Sequence, residues 1–137
     1  MVQRLPPVVD LFKLVDACTR CSVFFSAAET HFHDITLREF YEKLQRTLGR
    51  FIFELKQESL RINNREPAPA PPFGKPTLDA DCVLARVGVA LLYTIEGYET
   101  FLEHPMPAHA RAMIQRQRHD LGRLKVDLDR LYQARSA

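Results

Sequence analysis

Apolar residues recur at three- and four-residue steps through long stretches of this chain, and this spacing is the feature that most constrains its fold. Such steps place side chains on one face of an α-helix, whereas a strand would need strict alternation, of which the sequence shows almost none. Glycine, which weakens helices, occurs only five times in 137 residues. The chain is therefore predicted to be all-α. The clearest apolar stripe comprises Leu37, Phe40, Leu44, Leu48, Phe51, Leu55 and Ile62.

Four helices are predicted, over residues 8–32, 36–62, 78–102 and 107–134. The second has a capping box at its start, formed by Thr36 and Glu39, with Ile35 and Phe40 placed for a hydrophobic staple. The fourth begins at Pro107, a residue suited to the first position of a helix. The third helix is apolar nearly all round, which predicts a place either at the bundle centre or in a subunit interface.

The connections predict how these helices are arranged. Few residues separate the first helix from the second or the third from the fourth, so each pair is predicted to form an antiparallel hairpin. The middle connection, residues 63–77, contains Pro67-Ala68-Pro69-Ala70-Pro71-Pro72. In extended polyproline II it would reach roughly 43 Å, and a 25-residue helix is roughly 38 Å long. The linker can therefore run the length of a bundle, although its Pro69 and Pro72 also fit a ligand of proline-recognition domains.

Composition narrows the remaining possibilities. The length suits a single domain, and a hydrophobic fraction of 46% predicts a buried core. A net charge of +2 is too small for an electrostatic footprint on nucleic acid or an anionic membrane. Three cysteines are few and odd in number, which predicts a reducing, cytoplasmic setting. No secretory leader is predicted. No membrane span is predicted either, because the longest apolar-rich stretch, residues 83–93, is too short to cross a bilayer.

Two stretches of helical pattern carry a resemblance to a known family. One runs from Ala27-Ala28-Glu29 to Glu54-Leu55, and the other from Glu99 through Met106-Pro107-Ala108 to Arg116-Gln117 and Leu131. In these stretches the chain resembles a bacterial family of ferritin-like proteins whose domain has no known function. The resemblance implies a ferritin-like four-helix bundle that is often oligomeric and has no established reaction. Two hairpins joined by one long crossover is also the connectivity of ferritin-like bundles.

The di-iron pattern of ferritin-like proteins is missing from the sequence. Such a site needs a Glu from each of two helices and Glu-x-x-His from each of the other two. The residues three places before the five histidines are Ala28, Thr30, Phe101, Met106 and Arg116, so no Glu-x-x-His exists. We therefore predict no catalytic residue, no cofactor and no enzymatic activity.

Several residues remain candidates for a metal or redox site of unusual composition. Cys18 and Cys21 form Cys-x-x-Cys, but they lie well inside a helix among apolar neighbours, which favours core packing over reactivity. Glu29 and His33 are four residues apart and can share a helix face, although an exposed helix end is the favoured explanation. In this alternative the cofactor would be iron or another transition metal, held by a set drawn from Glu29, His33, Glu54, Glu99, Cys18 and Cys21.

The acidic residues of the second and third helices have two interpretations. Glu54 and Glu58 on one helix, and Glu96, Glu99 and Glu103 on the other, are spaced so that they line either a polar strip in the core or a solvated face. The solvated face is the favoured interpretation, with Glu54 the one expected to point inward.

Basic residues of the fourth helix complement the acidic third helix in sign. Pairing along that hairpin explains these charges without nucleic acid, for which interleaved aromatic residues would also be expected. His119, with Gly122 following, is similar to the phosphotransfer histidine of signalling four-helix modules, but the Lys-Gly that those modules carry is absent.

The nine Phe and four Tyr residues exceed what one apolar stripe per helix can bury. The runs Val23-Phe24-Phe25 and Phe51-Ile52-Phe53 put aromatic side chains on more than one face, and surplus apolar surface of this kind is typical of interfaces. The function predicted from the sequence is a non-catalytic interaction or structural module that forms a homo-oligomer. The alternative is a metal-binding or redox-active ferritin-like protein.

Overall fold

The computed structural model describes residues 10–28, 34–63 and 83–136, and these form four α-helices and no strand. The helices are α1 (Phe12–Ala28), α2 (Ile35–Asn63), α3 (Val83–Leu102) and α4 (Ala108–Ser136). The prediction of an all-helical, four-helix chain is confirmed. The predicted proline-rich connection, beyond its first residue, lies outside the described residues, as do the predicted helical residues 8–9, 29–32 and 78–82.

Aspartates cap the N-terminal ends of the first two helices. The α1 helix begins at Phe12 and not at residue 8, because the Asp10 carboxylate accepts a hydrogen bond from the Phe12 amide at 3.1 Å. In α2 the Asp34 carboxylate accepts from the Thr36 amide at 2.7 Å. Asp34 is therefore the cap, and the capping box predicted at Thr36 is wrong. The predicted staple is wrong as well, since Ile35 is 72% exposed.

The turn between α3 and α4 is closed by an arginine. The Pro107 carbonyl accepts a hydrogen bond from the Arg111 amide at 3.0 Å, so the proline immediately precedes α4. The guanidinium of Arg111 reaches back and donates to the carbonyls of Leu102 at 2.8 Å and His104 at 2.9 Å. These bonds satisfy carbonyl groups that the end of α3 would otherwise leave unpaired.

Side-chain pairs determine the relative directions of the helices. Lys43 pairs with Asp127 and Glu54 with Arg116, so α2 and α4 run antiparallel. The same test makes α1–α2, α1–α3 and α3–α4 antiparallel, and α2 and α3 consequently run in the same direction. The α2 helix ends where α4 begins, whereas α3 begins at the opposite end of the bundle. The pairs between α1 and α2 are Ser22–Gln45 and Phe25–Tyr41. Those between α1 and α3 are Cys18–Tyr98 and Cys21–Thr94. Those between α3 and α4 are Tyr98–Gln117 and Gly88–Leu128.

The core lies between the four apolar stripes. The stripe predicted for α2 is buried from Leu37 to Leu55, and Ile62 is half-buried. Each fully buried leucine or phenylalanine contributes about 1.5–3 kcal/mol of transfer free energy, so this stripe is a major source of stability. None of the described helices has an apolar run long enough to cross a lipid bilayer.

Candidate functional site

A chain of polar side chains crosses the middle of the apolar core. The Tyr98 hydroxyl donates to Oε1 of Gln117 at 2.7 Å and lies 3.2 Å from the sulfur of Cys18. On its other side Gln117 donates from Nε2 towards Oε1 of Glu54 at 3.4 Å. Each of the four helices contributes one member, and we call Cys18, Tyr98, Gln117 and Glu54 the core chain. This chain joins all four helices through polar atoms.

Helical periodicity explains why these polar groups are inside. Gln117 occupies a position between Ile114 and Leu121 in the buried stripe of α4, and no part of it is exposed to solvent. A buried amide needs partners for both its oxygen and its nitrogen. Tyr98 and Glu54 supply them, so the polarity of the core chain is satisfied within the protein.

Burial raises the pKa of the thiols and of the phenol in the middle of the bundle. Removal from water raises the pKa of Cys18 to about 12 and that of Cys21 to about 11, against an ordinary value of 9.0. Desolvation likewise raises the pKa of Tyr98 above its usual range. Both cysteines are free and buried. A thiol held in this form is neither a nucleophile nor a ready metal ligand, which agrees with the packing role expected for the pair.

Glu54 ends the core chain at the bundle surface. Its carboxylate pairs with Arg116 as well as with Gln117, and its side chain is 27% exposed. The sequence-based expectation that Glu54 points inward agrees with its contact to the buried Gln117. Its charge is compensated by an arginine on α4 rather than by a second carboxylate or a histidine.

The other predicted ligands do not join Glu54. Glu99 is exposed and pairs with Arg118, whereas Glu54 pairs with Arg116, so the two carboxylates lie on different sides of α4. Glu29 and His33 lie outside the described residues. Within residues 10–28, 34–63 and 83–136, no group of three or more His, Cys, Asp or Glu side chains is placed to hold a metal ion.

A buried carboxylate near the C-terminal end of α2 departs from the favoured sequence interpretation. Glu58 was expected on a solvated face, yet only 5% of it is exposed. Its Oε1 accepts from Arg61 at 2.6 Å and lies 3.0 Å from Nδ1 of His109. The hydrogen bonds from Arg61, reinforced by His109, lower the pKa of Glu58. Arg61, three residues after Glu58, was the sequence signal for a paired carboxylate. His109 gave no such signal, because it is 51 residues away in sequence.

Among the described residues, several apolar side chains on the outer face of α3 are exposed. Val89, Leu92 and Tyr93 are 50%, 44% and 69% exposed, and Val126 of α4 is 48% exposed across a shallow groove of about 650 Å³ that Leu92 and Val126 both line. A place for α3 at the bundle centre, one of the two predicted, is therefore wrong. A contiguous apolar surface of this kind is typical of an interaction site.

The basic residues of α4 pair with several partners. Arg116 pairs with Glu54 of α2, Arg118 with Glu99 of α3, and Lys125 with Asp129 of α4 itself. On the other side, the acids of α4 meet Lys43 and Arg50 of α2 at 4.0 and 3.7 Å. Exposed pairs at such distances contribute about 0–1 kcal/mol each, so they orient the helices more than they stabilise them.

Comparison with known proteins finds no matching family model, no matching curated protein and no matching solved structure.

Proposed function

We propose that the protein is a non-catalytic, ferritin-like helical bundle of the cytoplasm that acts through protein contacts and forms a homo-oligomer. The observation that carries this proposal is the exposed apolar surface formed by Val89, Leu92 and Tyr93 of α3 with Val126 of α4. The free, buried cysteines suit a reducing compartment.

The directions of the helices support a ferritin-like connectivity. In an up-down-up-down bundle α2 and α3 would run in opposite directions, whereas here they run in the same direction. Each hairpin is antiparallel, and α2 ends at the opposite end of the bundle from the start of α3. These directions support the proposed long crossover.

The composition of the exposed surface supports self-association. Aromatic side chains such as tyrosine are enriched in the apolar core of protein interfaces, and polar residues form the rim. Tyr93 has the largest exposed fraction of the four apolar residues, and Glu96 and Arg118 line the adjoining groove. Burying this surface against another protein would recover transfer free energy of about 25 cal/mol per Å² of apolar area.

The chemistry of the core chain favours a structural role. Its thiol and phenol are held in their protonated forms, and its carboxylate is paired with Arg116. A converging set of ionised ligands is what a transition metal needs, and among the described candidates Glu54 and Glu99 lie apart. The metal-binding alternative would have to draw on Glu29 and His33.

Light scattering coupled to size-exclusion chromatography tests the proposal. At tens of micromolar, the wild-type protein is expected at a multiple of its 15.8 kDa chain mass. Tyr93→Glu places a charge in the apolar surface and should shift the protein to the monomer mass. Phe53→Glu is the matched control, because Phe53 is a similarly exposed aromatic residue on α2, 63% exposed, and its change should leave the mass unaltered. A strictly monomeric wild type would contradict the proposal.

Metal analysis tests the alternative. The untagged protein is expressed in medium supplemented with iron, zinc and copper, and its metal content per chain is measured by plasma mass spectrometry. Values near zero are expected. Near-stoichiometric metal would overturn the non-catalytic proposal and direct attention to Glu29, His33 and Glu54.

A further inference from the structure

Five exposed residues of α3 form one continuous strip along its outer face. Their steps of three, four, three and four residues keep them aligned on a helix, as in the seam of a coiled coil. The strip has a basic residue near one end, two apolar residues in the middle and an acidic residue towards the other end. We call it the α3 strip, and its members are Arg86, Val89, Tyr93, Glu96 and Thr100.

The order of these residues is self-complementary. We infer that two copies of the chain pair through the α3 strip in antiparallel orientation, about a two-fold axis level with Leu91. Val89 then faces the partner's Tyr93, and Arg86 faces the partner's Glu96. The midpoint between Val89 and Tyr93 is also the midpoint between Arg86 and Glu96, so one axis satisfies both pairs.

The charges of the α3 strip favour a second copy of this chain as the partner that binds it. In a two-fold interface the same patch must serve on both sides, so each contact occurs twice with its partners exchanged. The antiparallel arrangement brings an arginine to a glutamate at each end of the strip. A parallel arrangement would instead place Arg86 against the partner's Arg86 and Glu96 against the partner's Glu96, and like charges at these positions oppose association.

The charged ends of the α3 strip are available for such pairing. Neither Arg86 nor Glu96 has an ion-pair partner within the described part of the chain, whereas neighbouring Glu99 is engaged by Arg118. Leu92, beside the strip, extends the apolar area towards Val126 and the groove that both residues line. The strip therefore combines an apolar centre with two unused, opposite charges.

Charge reversal tests this pairing, which rests on the proposed homo-oligomer. Arg86→Glu brings two acids together at both ends of the interface, and Glu96→Arg brings two bases together. Each single variant should weaken dimerisation roughly tenfold or more, because the change acts twice at a two-fold interface and like charges repel across it. The double variant Arg86→Glu/Glu96→Arg restores opposite charges and should recover the wild-type dimerisation constant in sedimentation equilibrium.

Two control variants separate this effect from a general change in charge. Arg46→Glu and Glu42→Arg reverse exposed charges on α2 and should leave dimerisation unchanged. Circular dichroism confirms that each variant remains helical. Covalent trapping gives a second measurement: a mixture of Val89→Cys and Tyr93→Cys chains should form a mixed disulfide dimer faster than either variant forms one alone.

The outcomes distinguish the two proposals. If the wild type associates but the single reversals behave like the α2 controls, the α3 pairing is overturned while the homo-oligomer stands. Weakened single variants without recovery in the double variant overturn the antiparallel register. A wild type that remains monomeric overturns both proposals.

Discussion

Polar side chains lie in the middle of the bundle and apolar side chains lie on the outer face of α3, which is the opposite of their usual distribution. The interior carries Cys18, Tyr98 and Gln117 in a polar chain, whereas the exterior carries Val89 and Tyr93 in an apolar strip. The two regions differ in whether these side chains have partners within the protein. Every polar member of the core chain contacts another within the protein, but no described residue covers the apolar strip. Within the described residues the polar groups of the core chain are therefore paired, whereas the apolar side chains on the outer face of α3 are left exposed.

The largest expected effect concerns the protonation of the interior. A thiol whose pKa is raised on folding stabilises the native state fully below its unfolded pKa, 9.0 here, and this stabilisation is lost as the pH rises towards the folded values of about 11 for Cys21 and about 12 for Cys18. The free energy of unfolding should therefore fall by up to about 1.4 kcal/mol per pH unit for each thiol.

Urea denaturation at several pH values between about 8.5 and 10 measures this slope, below the range in which most phenols and lysines titrate. The comparison is the double variant Cys18→Ala/Cys21→Ala, whose stability should depend less on pH over the same range. Equal slopes for the two proteins would show that the thiols ionise as readily in the folded chain as in the unfolded one.

A smaller effect is expected from breaking the core chain at its centre. Tyr98→Phe leaves Oε1 of Gln117 without its donor, which should cost about 1–3 kcal/mol of unfolding free energy. Gln117→Leu removes the acceptor and should cost a similar amount. The double variant should cost less than the sum of the two, because no unpaired group from this bond remains.

Tyr93→Phe is the matched control for this cycle. It removes the same hydroxyl from an exposed tyrosine of the same helix, and it should change the free energy of unfolding by less than about 0.5 kcal/mol. Strict additivity of the Tyr98 and Gln117 changes would mean that the buried hydrogen bond contributes no coupling.

The smallest effect is expected at a surface position that belongs to neither region. Gly49 lies inside α2 and is exposed, and a Cβ added there would meet no atom within 4 Å. Gly49→Ala should raise the free energy of unfolding by about 1 kcal/mol, because alanine loses less backbone entropy in a helix. Gly122→Ala is the comparison, since its Cβ would lie 3.1 Å from Nη1 of Arg118 and its gain should be smaller. Urea denaturation measures both, and no gain at Gly49 would contradict the argument.

The number of helices and the core of α2 followed from the sequence because a helix with one apolar face reveals that face through its period. The α3 helix gave no such signal. Its residues are apolar nearly all round, so the pattern did not show that Leu91 and Tyr98 point inward while Val89 and Tyr93 point outward. Only the positions of the neighbouring helices decide this.

The candidate site was predicted in part. Glu54 was expected to point inward, and Gln117 is a polar residue within the apolar stripe of α4. The link from Gln117 through Tyr98 to Cys18 was not foreseen. A tyrosine fits an apolar stripe as well as a phenylalanine does, and the partners of its hydroxyl are on other helices. Burial of Glu58 escaped prediction for a related reason, since its compensation depends partly on distant His109.

The shared direction of α2 and α3 has a consequence for how the chain folds. Contacts inside each hairpin join residues that are close in sequence, such as Tyr98 and Gln117, 19 positions apart. The contact between hairpins from Cys18 to Tyr98 spans 80 positions. Local contacts form quickly, whereas closing a long loop costs entropy before it brings any contact. Each hairpin can therefore assemble before it meets the other, and docking of the two preformed halves becomes the slow step. During that interval a hairpin can also dock onto the complementary half of another chain.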